Sequence, residues 1–163
     1  TVLFDMVIAI SVGILLASLL FMREIAEMTQ IKDLSQDHRR VPAGSLPAGW
    51  QVWRVNGPLV FAAADRVFGE LSLRIDTQAG MVLWMDAVPL LDAGGLSALE
   101  KFLAKCRQQG KQVVLAELQY QPLKTLRHAE LEPEPGVFSL SHSLEEALAA
   151  LPQQAAAAAS ATP

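Results

Sequence analysis

Residues 6–22 (MVIAISVGILLASLLFM) contain no charged side chain, and Asp5 is the one charge among the first 22 residues. Adding residues 2–5 brings the run to about 20 residues, enough at about 1.5 Å per residue to cross a hydrocarbon core of about 30 Å. A helix of this kind has to be solvated by lipid or by other apolar helices, and that fixes the setting of everything after it. An export signal would carry basic residues before its apolar core and a small-residue cleavage site behind it. Here the basic residues come afterwards, at Arg23, Lys32, Arg39 and Arg40. The run reads as a transmembrane helix (residues 1–22), and the Lys and Arg behind it predict a cytoplasmic C-terminal side. The chain opens at Thr1 inside this apolar stretch, so the polypeptide is expected to continue upstream.

Ala9, Gly13 and Ala17 recur every four residues and line one stripe of the helix, where small side chains allow another helix to approach closely. Asp5 falls on the same stripe. It is either a functional carboxylate facing protein or water, or the polar marker of the end of the span. A helix with such a stripe calls for partner helices, expected upstream of Thr1.

Residues 23–49 read as an extension and linker. Ile25, Met28, Ile31 and Leu34 repeat every three residues between Glu24, Glu27, Lys32 and Asp33, the pattern of an amphipathic helix. Residues 35–49 (SQDHRRVPAGSLPAG) hold two Pro and two Gly without an apolar period, as linkers do.

From Trp50 the pattern changes to short strands alternating with helices. Residues 50–55 (WQVWRV) are a strand ended by Asn56-Gly57-Pro58, and residues 59–61 are a candidate second one. Val67, Leu71 and Ile75 mark a helix over 63–75. Residues 81–85 (MVLWM) form an unbroken apolar strand of the buried type. Leu96, Leu99, Phe102, Leu103 and Cys106 share one face of a helix over 96–109, which Gly110 ends. A strand follows over 112–118, a helix over 122–131 beginning with proline, and a strand over 137–140. Ser143 and Glu146 make a capping-box pattern for a last helix. The order predicts an α/β domain over 50–152, a mostly parallel sheet flanked by helices. Residues 153–163 are an Ala-rich tail, either frayed helix or disordered.

Several function classes are disfavoured. A net charge of −4 without a basic patch argues against nucleic acid as a partner. A lone cysteine excludes an intrachain disulfide and a Cys-based metal cluster. His38, His128 and His142 lack metal-ligand spacing. Cys106, on an apolar helix face, reads as a core residue. No serine sits in a nucleophile elbow, no glycine loop matches a P-loop, and the carboxylates Asp86 and Asp92 lack catalytic companions. The chain is therefore not expected to be an enzyme or to hold a cofactor. Lys101, Lys105, Arg107 and Lys111 give the central helix a basic outer side. It is either a solvated face or a docking surface for an acidic protein.

The most distinctive segment runs from Asp86 to Leu99, where a buried strand leads through Asp92-Ala93-Gly94-Gly95 into a helix. It resembles the signature of STAS domains, a strand, an Asp-Ser-(Ser/Thr)-Gly turn and a helix. Gly57-Pro58-Leu59-Val60-Phe61-Ala62 is similar to a stretch of the STAS domains attached to SulP transporters. Gly110-Lys111-Gln112-Val113 and Ser143-Leu144-Glu145-Glu146 also fall where that family has corresponding elements. The resemblance implies the last transmembrane helix and regulatory STAS domain of a secondary anion transporter in a bacterial inner membrane. Among bacterial members it is nearest to those that move C4-dicarboxylates. It further implies a homodimer and a cytosolic protein partner, with acyl carrier protein a candidate. A Gly-rich turn at a helix start also suits an anion or a nucleotide-like ligand, or else Asp92 merely caps the helix. In signalling STAS proteins the residue after the Asp is a phosphorylated Ser. Ala93 stands there, so that switch is not expected, which counts against the alternative reading of a membrane-tethered STAS signalling module that binds a protein partner or a nucleotide.

Overall fold

In the computed structural model, which describes residues 1–160, the apolar run forms helix α1 (Val2–Met28). Residues 161–163, the end of the Ala-rich tail, lie outside the described residues, as do the side chains of 25–26 and 154–160. The segment Val2–Glu24 is long and apolar enough to cross a membrane, and no part of it is buried by the rest of the chain. The Ser11 and Ser18 hydroxyls donate to the Val7 and Ile14 carbonyls at 2.7 and 2.8 Å. Both are thus satisfied within the helix.

The helical period expected to continue to Leu34 stops at Met28. Thr29 is extended, and strand β1 (Gln30–Asp33) pairs antiparallel with β2 (Trp50–Asn56). Ile31 and Leu34 are an odd number of residues apart, so an extended chain sends them to opposite faces. Each joins a different core. The backbone of β1 takes its hydrogen bonds from the edge of β2, which a surface helix would have left unpaired.

Strands β2, β3 (Gly80–Ala87), β4 (Gln112–Ala116) and β5 (Phe138–Ser141) are parallel, and the sheet order is β1-β2-β3-β4-β5. The crossovers carry α2 (Phe61–Ile75), α3 (Ala93–Gln108) and α4 (Tyr120–His128), and α5 (Leu144–Ser160) follows β5. Met81, Leu83 and Met85 of β3 point into the core shared with α2, α3 and α4, while Val82 and Trp84 point into a second core with α5. The strand is continuous in hydrophobicity because both of its faces are covered.

Residues 35–49 are not a loose linker: with Leu34 they form a strap over the second core. Leu34 and Val41 are buried there, Leu46 packs beside them, and Val52 N–H donates to Ser35 Oγ at 3.0 Å. The Arg40 guanidinium lies 5.1 Å from the centre of the Trp84 ring, and Arg54 lies 4.5 Å from it. The folded domain therefore begins at β1. Residues 59–61 form no strand; Leu59 makes one isolated bridge to Leu91, and α2 already starts at Phe61. Helices α3 and α4 also start earlier than expected, at Ala93 and Tyr120, and α4 stops at His128. At the start of α5, Glu146 N–H donates to Ser143 Oγ at 3.1 Å, while the Glu146 carboxylate accepts from His142 N–H at 2.8 Å. The tail to Ser160 continues α5.

If the strap is part of the core, Leu34→Ala should lower the unfolding free energy by about 2–4 kcal/mol. Denaturant unfolding of the chain in detergent micelles, followed by tryptophan fluorescence, measures this. A loss below about 0.5 kcal/mol, the range of surface substitutions, would mean that the strap is a tether only.

Candidate functional site: the Asp92 turn and the helix exit

Beyond β3 the chain turns through Val88 and Leu91, both fully buried, into the start of α3. Asp92 Oδ1 accepts from Gly95 N–H at 2.6 Å, which caps the helix. Gln121 clamps the loop from α4, accepting from Leu91 N–H at 2.8 Å and donating to the Leu91 carbonyl at 3.2 Å. Thr125 Oγ1 donates to the same carbonyl at 3.2 Å. A Cβ on Gly95 would lie 2.1 Å from the Leu59 carbonyl oxygen, so only glycine lets the helix start close against that backbone. A Cβ on Gly94 would lie 3.3 Å from Phe61 Cα. The Asp92 carboxylate thus already sits on the positive end of the helix. Ala93 beside it is exposed and offers a methyl group where phosphorylation would need a hydroxyl.

The segment that touches this turn also touches the end of α1. Thr29 is fully buried, and its hydroxyl donates to the Pro58 carbonyl at 2.6 Å. Arg66 of α2 donates to the Thr29 carbonyl, which closes the C-terminal end of α1. Gly57 has φ +104°, and a Cβ there would lie 2.9 Å from both Met28 O and Thr29 Cα. Two residues on, Leu59 N–H donates to the Leu90 carbonyl at 2.9 Å and Asp92 N–H donates to the Leu59 carbonyl at 3.3 Å. Phe61 then enters α2 with φ +37° and an exposed ring. A left-handed Phe costs about 1–3 kcal/mol and persists only where its surroundings fix it. Five residues, 57–61, therefore connect the exit of α1 with the Asp92 turn.

The structure brings together Asp92, Ala93, Gly94 and Gly95, and leaves the other sequence candidates apart from them. Lys105 pairs with Asp76 at 2.7 Å and also donates to the Ser72 carbonyl. Arg107 pairs with Glu134, and Lys111 donates to the Gln78 carbonyl. Lys101 lines a shallow groove between α2 and α3, with Asp65, Phe68, Ser72 and Phe102. Asp5, Ala9, Gly13 and Ala17 lie exposed along α1, and nothing stands within 4 Å of a Cβ built on Gly13. Cys106 is fully buried, and burial pushes its thiol up to about 12, so it is a core residue rather than a reactive one. No group of His, Cys, Asp or Glu suited to a metal ion occurs among the described residues. Thr29, Arg66 and Gln121 went unnoticed in the sequence. Their roles depend on backbone carbonyls and amides brought close only by the fold.

A parallel sheet with this connectivity, a capped Asp-Xaa-Gly-Gly helix start and an antiparallel first strand define the STAS fold. The family model of the STAS domain matches residues 48–147, and the chain belongs to that family. It is 26% identical over 132 residues to the "Putative sulfate transporter YvdB" of Bacillus subtilis (strain 168). That match covers 80% of this chain and only 24% of the relative's length. The crystal structure of a sulfate transporter family protein from Wolinella succinogenes superposes with a TM-score of 0.58 at 27% identity, over 68% of this chain and 91% of the other. An anti-sigma factor antagonist from Mycobacterium paratuberculosis shares the fold, with a TM-score of 0.50 at 22% identity, over 76% of this chain and 95% of that one.

Adding one methyl group at Gly95→Ala should destabilise the domain by about 1–3 kcal/mol, because backbone and not a flexible side chain must yield. Thermal or denaturant unfolding reads this directly, and an unchanged stability would show that the close approach to Leu59 is dispensable. A second expectation concerns acid. Hydrogen bonds from Lys105 and Gln109 hold the Asp76 carboxyl below its usual range, Arg107 does so for Glu134, and the His142 amide with the Ser141 hydroxyl does so for Glu146. A carboxyl with a lower pKa in the folded state adds stability above its unfolded pKa, and that stability is lost as pH falls through the folded value. The unfolding midpoint should therefore drop between about pH 5 and about pH 3 and stay level from about pH 6 to about pH 8 on account of these groups. Glu134→Gln should flatten the acid limb.

Proposed function

We propose that this chain is the C-terminal end of a SulP-type secondary anion transporter. In this reading α1 is a membrane-spanning helix of the transport domain, and the STAS domain lies on the cytosolic side of a bacterial inner membrane. There it regulates transport or assembly and catalyses no reaction. The observation that carries the proposal is the built connection between the two parts, where residues 57–61 hold the buried Thr29 at one end and the Asp92 turn at the other. A domain attached only for ballast would need no such fixed joint. Orientation rests on the basic residues that follow the span. The cargo we assign is a small anion; the relative's name points to sulfate, and the sequence motifs resemble members that move dicarboxylates. Dimer assembly belongs to the same proposal, as does an acidic cytosolic partner such as acyl carrier protein, which would meet Lys101 in the α2–α3 groove. A phosphorylation-driven signalling module is disfavoured, because Ala93 removes the acceptor hydroxyl.

Deleting residues 29–152 from the full-length protein should change its transport rate or its abundance several-fold, while the ratio of sulfate to succinate uptake stays constant. Uptake by vesicles with each labelled anion measures both. A changed ratio would assign the domain to substrate selection instead of regulation.

A further inference from the structure

The antiparallel pairing of β1 sets Gln30 opposite Asn56, so the exit of α1 is level with the carboxyl end of β2. Because β2 to β5 are parallel, the carboxyl ends of all four strands lie along that same edge. The span-length apolar segment ends at Glu24, and α1 ends at Met28. Four residues of helix cover about 6 Å. The headgroup layer outside the hydrocarbon is itself about 5–7 Å deep on each side. The carboxyl edge of the sheet thus begins at the depth of the lipid headgroups when α1 crosses the bilayer.

The surface chemistry of this edge fits that position. Outside α1, the exposed large apolar side chains among the described residues are Phe61 (74%), Leu73 (73%), Leu90 (41%) and Tyr120 (81%). All but Leu73 lie on the carboxyl edge. Phe61 follows β2, Leu90 follows β3, and Tyr120 follows β4. The loops that bear them are tied together, Leu59 to Leu90 by a backbone hydrogen bond and Leu91 to Gln121 through the side-chain amide. Three carboxylates at this edge are engaged by neighbours in the domain. Asp86 binds Arg54 at 2.6 and 2.9 Å, Asp92 accepts from Gly95 N–H at 2.6 Å, and Glu117 accepts from Trp84 Nε1 at 2.8 Å. Beside the exposed polar side chains Asp65, His142 and Glu145, the edge turns outward two aromatic rings and a leucine, residue types that settle at a membrane interface.

We propose that the carboxyl edge of the STAS sheet, through Phe61, Leu90 and Tyr120, rests in the headgroup region of the bilayer that α1 crosses. This rests on the reading of α1 as a membrane span. The contact is apolar and aromatic, with no basic cluster, so it needs no anionic lipid and is insensitive to salt.

The test uses the whole 163-residue chain reconstituted in phosphatidylcholine vesicles that contain lipids spin-labelled at the headgroup or along the acyl chain. A thiol-reactive fluorophore is placed singly at Tyr120→Cys or Leu90→Cys, with Leu73→Cys as a far control and Leu15→Cys as a probe of the span; the buried Cys106 stays unlabelled. Headgroup labels should quench the probes at 120 and 90 at least threefold more than the probe at 73, unchanged by raised salt. Phe61→Ser should reduce quenching at 120 by half or more. Quenching at 120 and 90 no greater than at 73, with Leu15 quenched by acyl labels, would overturn the edge contact alone. Shielding of 120 that grows with protein density and not with lipid would assign the edge to a second copy and overturn the proposal. An unquenched probe at 15 would overturn the membrane-span reading and this inference with it.

Discussion

The hydroxyl of Thr29 is buried and donates to the carbonyl of Pro58 at 2.6 Å, and much of the architecture is set by that contact. It fixes where α1 stops, and so which residue of the following strand faces Asn56. A slip of one residue in β1 would exchange Ile31 and Lys32 between the buried and open faces. It would also leave the Thr29 hydroxyl without its partner, at a cost of about 1–3 kcal/mol for a buried donor. Gly57 makes the contact possible, since any side chain there would meet the Met28 carbonyl at 2.9 Å. Residues 57–59 thus meet the end of α1 on one side and on the other carry the Leu59 carbonyl against which Gly95 is packed.

The sheet beneath this joint is closed on both faces, in two chemically different ways. Toward α2 and α3 it is covered by regular helix packing, including the Phe68 and Phe102 rings 5.7 Å apart. On the other face α5 covers one part and an irregular strap covers the rest. The strap is held by two buried aliphatic side chains and by Arg40 over the Trp84 ring, a contact worth about 0.5–1 kcal/mol where it is partly solvated. Arg54, on the neighbouring strand, contacts the same ring and is bound by both oxygens of Asp86, and that hydrogen bonding raises its pKa. Trp84 therefore joins the strap to the second and third strands, although by position it is an ordinary inward residue of a buried strand.

The parts of the fold that could be read from the sequence are those whose stability is local or strongly periodic. The five apolar residues at 81–85, the one-sided helix ending at Cys106, and the Ser143–Glu146 pair each declare their element within a few residues. Strand β1 could not be read in this way. Its four residues carry one inward side chain, and spacings of three at Ile31 and Leu34 suit a helix as well as a chain that threads between two cores. The strap was hidden for a related reason, because Val41 and Leu46 are too far apart in sequence to show a period and are buried only by a sheet formed elsewhere. At the candidate site, the Asp92–Gly95 turn was visible as a motif. The Gln121 clamp and the Arg66 lock act on backbone atoms, and side chains that bind backbone leave no pattern in a single sequence.

Ala93 shapes what kind of regulation such a domain can exercise. With the Asp92 carboxylate engaged by Gly95 N–H and a methyl group at the following position, the turn lacks the hydroxyl that a phosphorylation switch would modify. Its ties to the rest of the domain run through backbone contacts. The Leu59 backbone lies between the helix start and the Thr29 joint, and Phe61 is held at φ +37° where the same segment enters α2. A non-glycine residue held in the left-handed region costs about 1–3 kcal/mol and persists only where its neighbours fix it, so the packing around the 57–61 segment holds Phe61 in place. The positions of α1 and of the Asp92 turn are both read through that one segment.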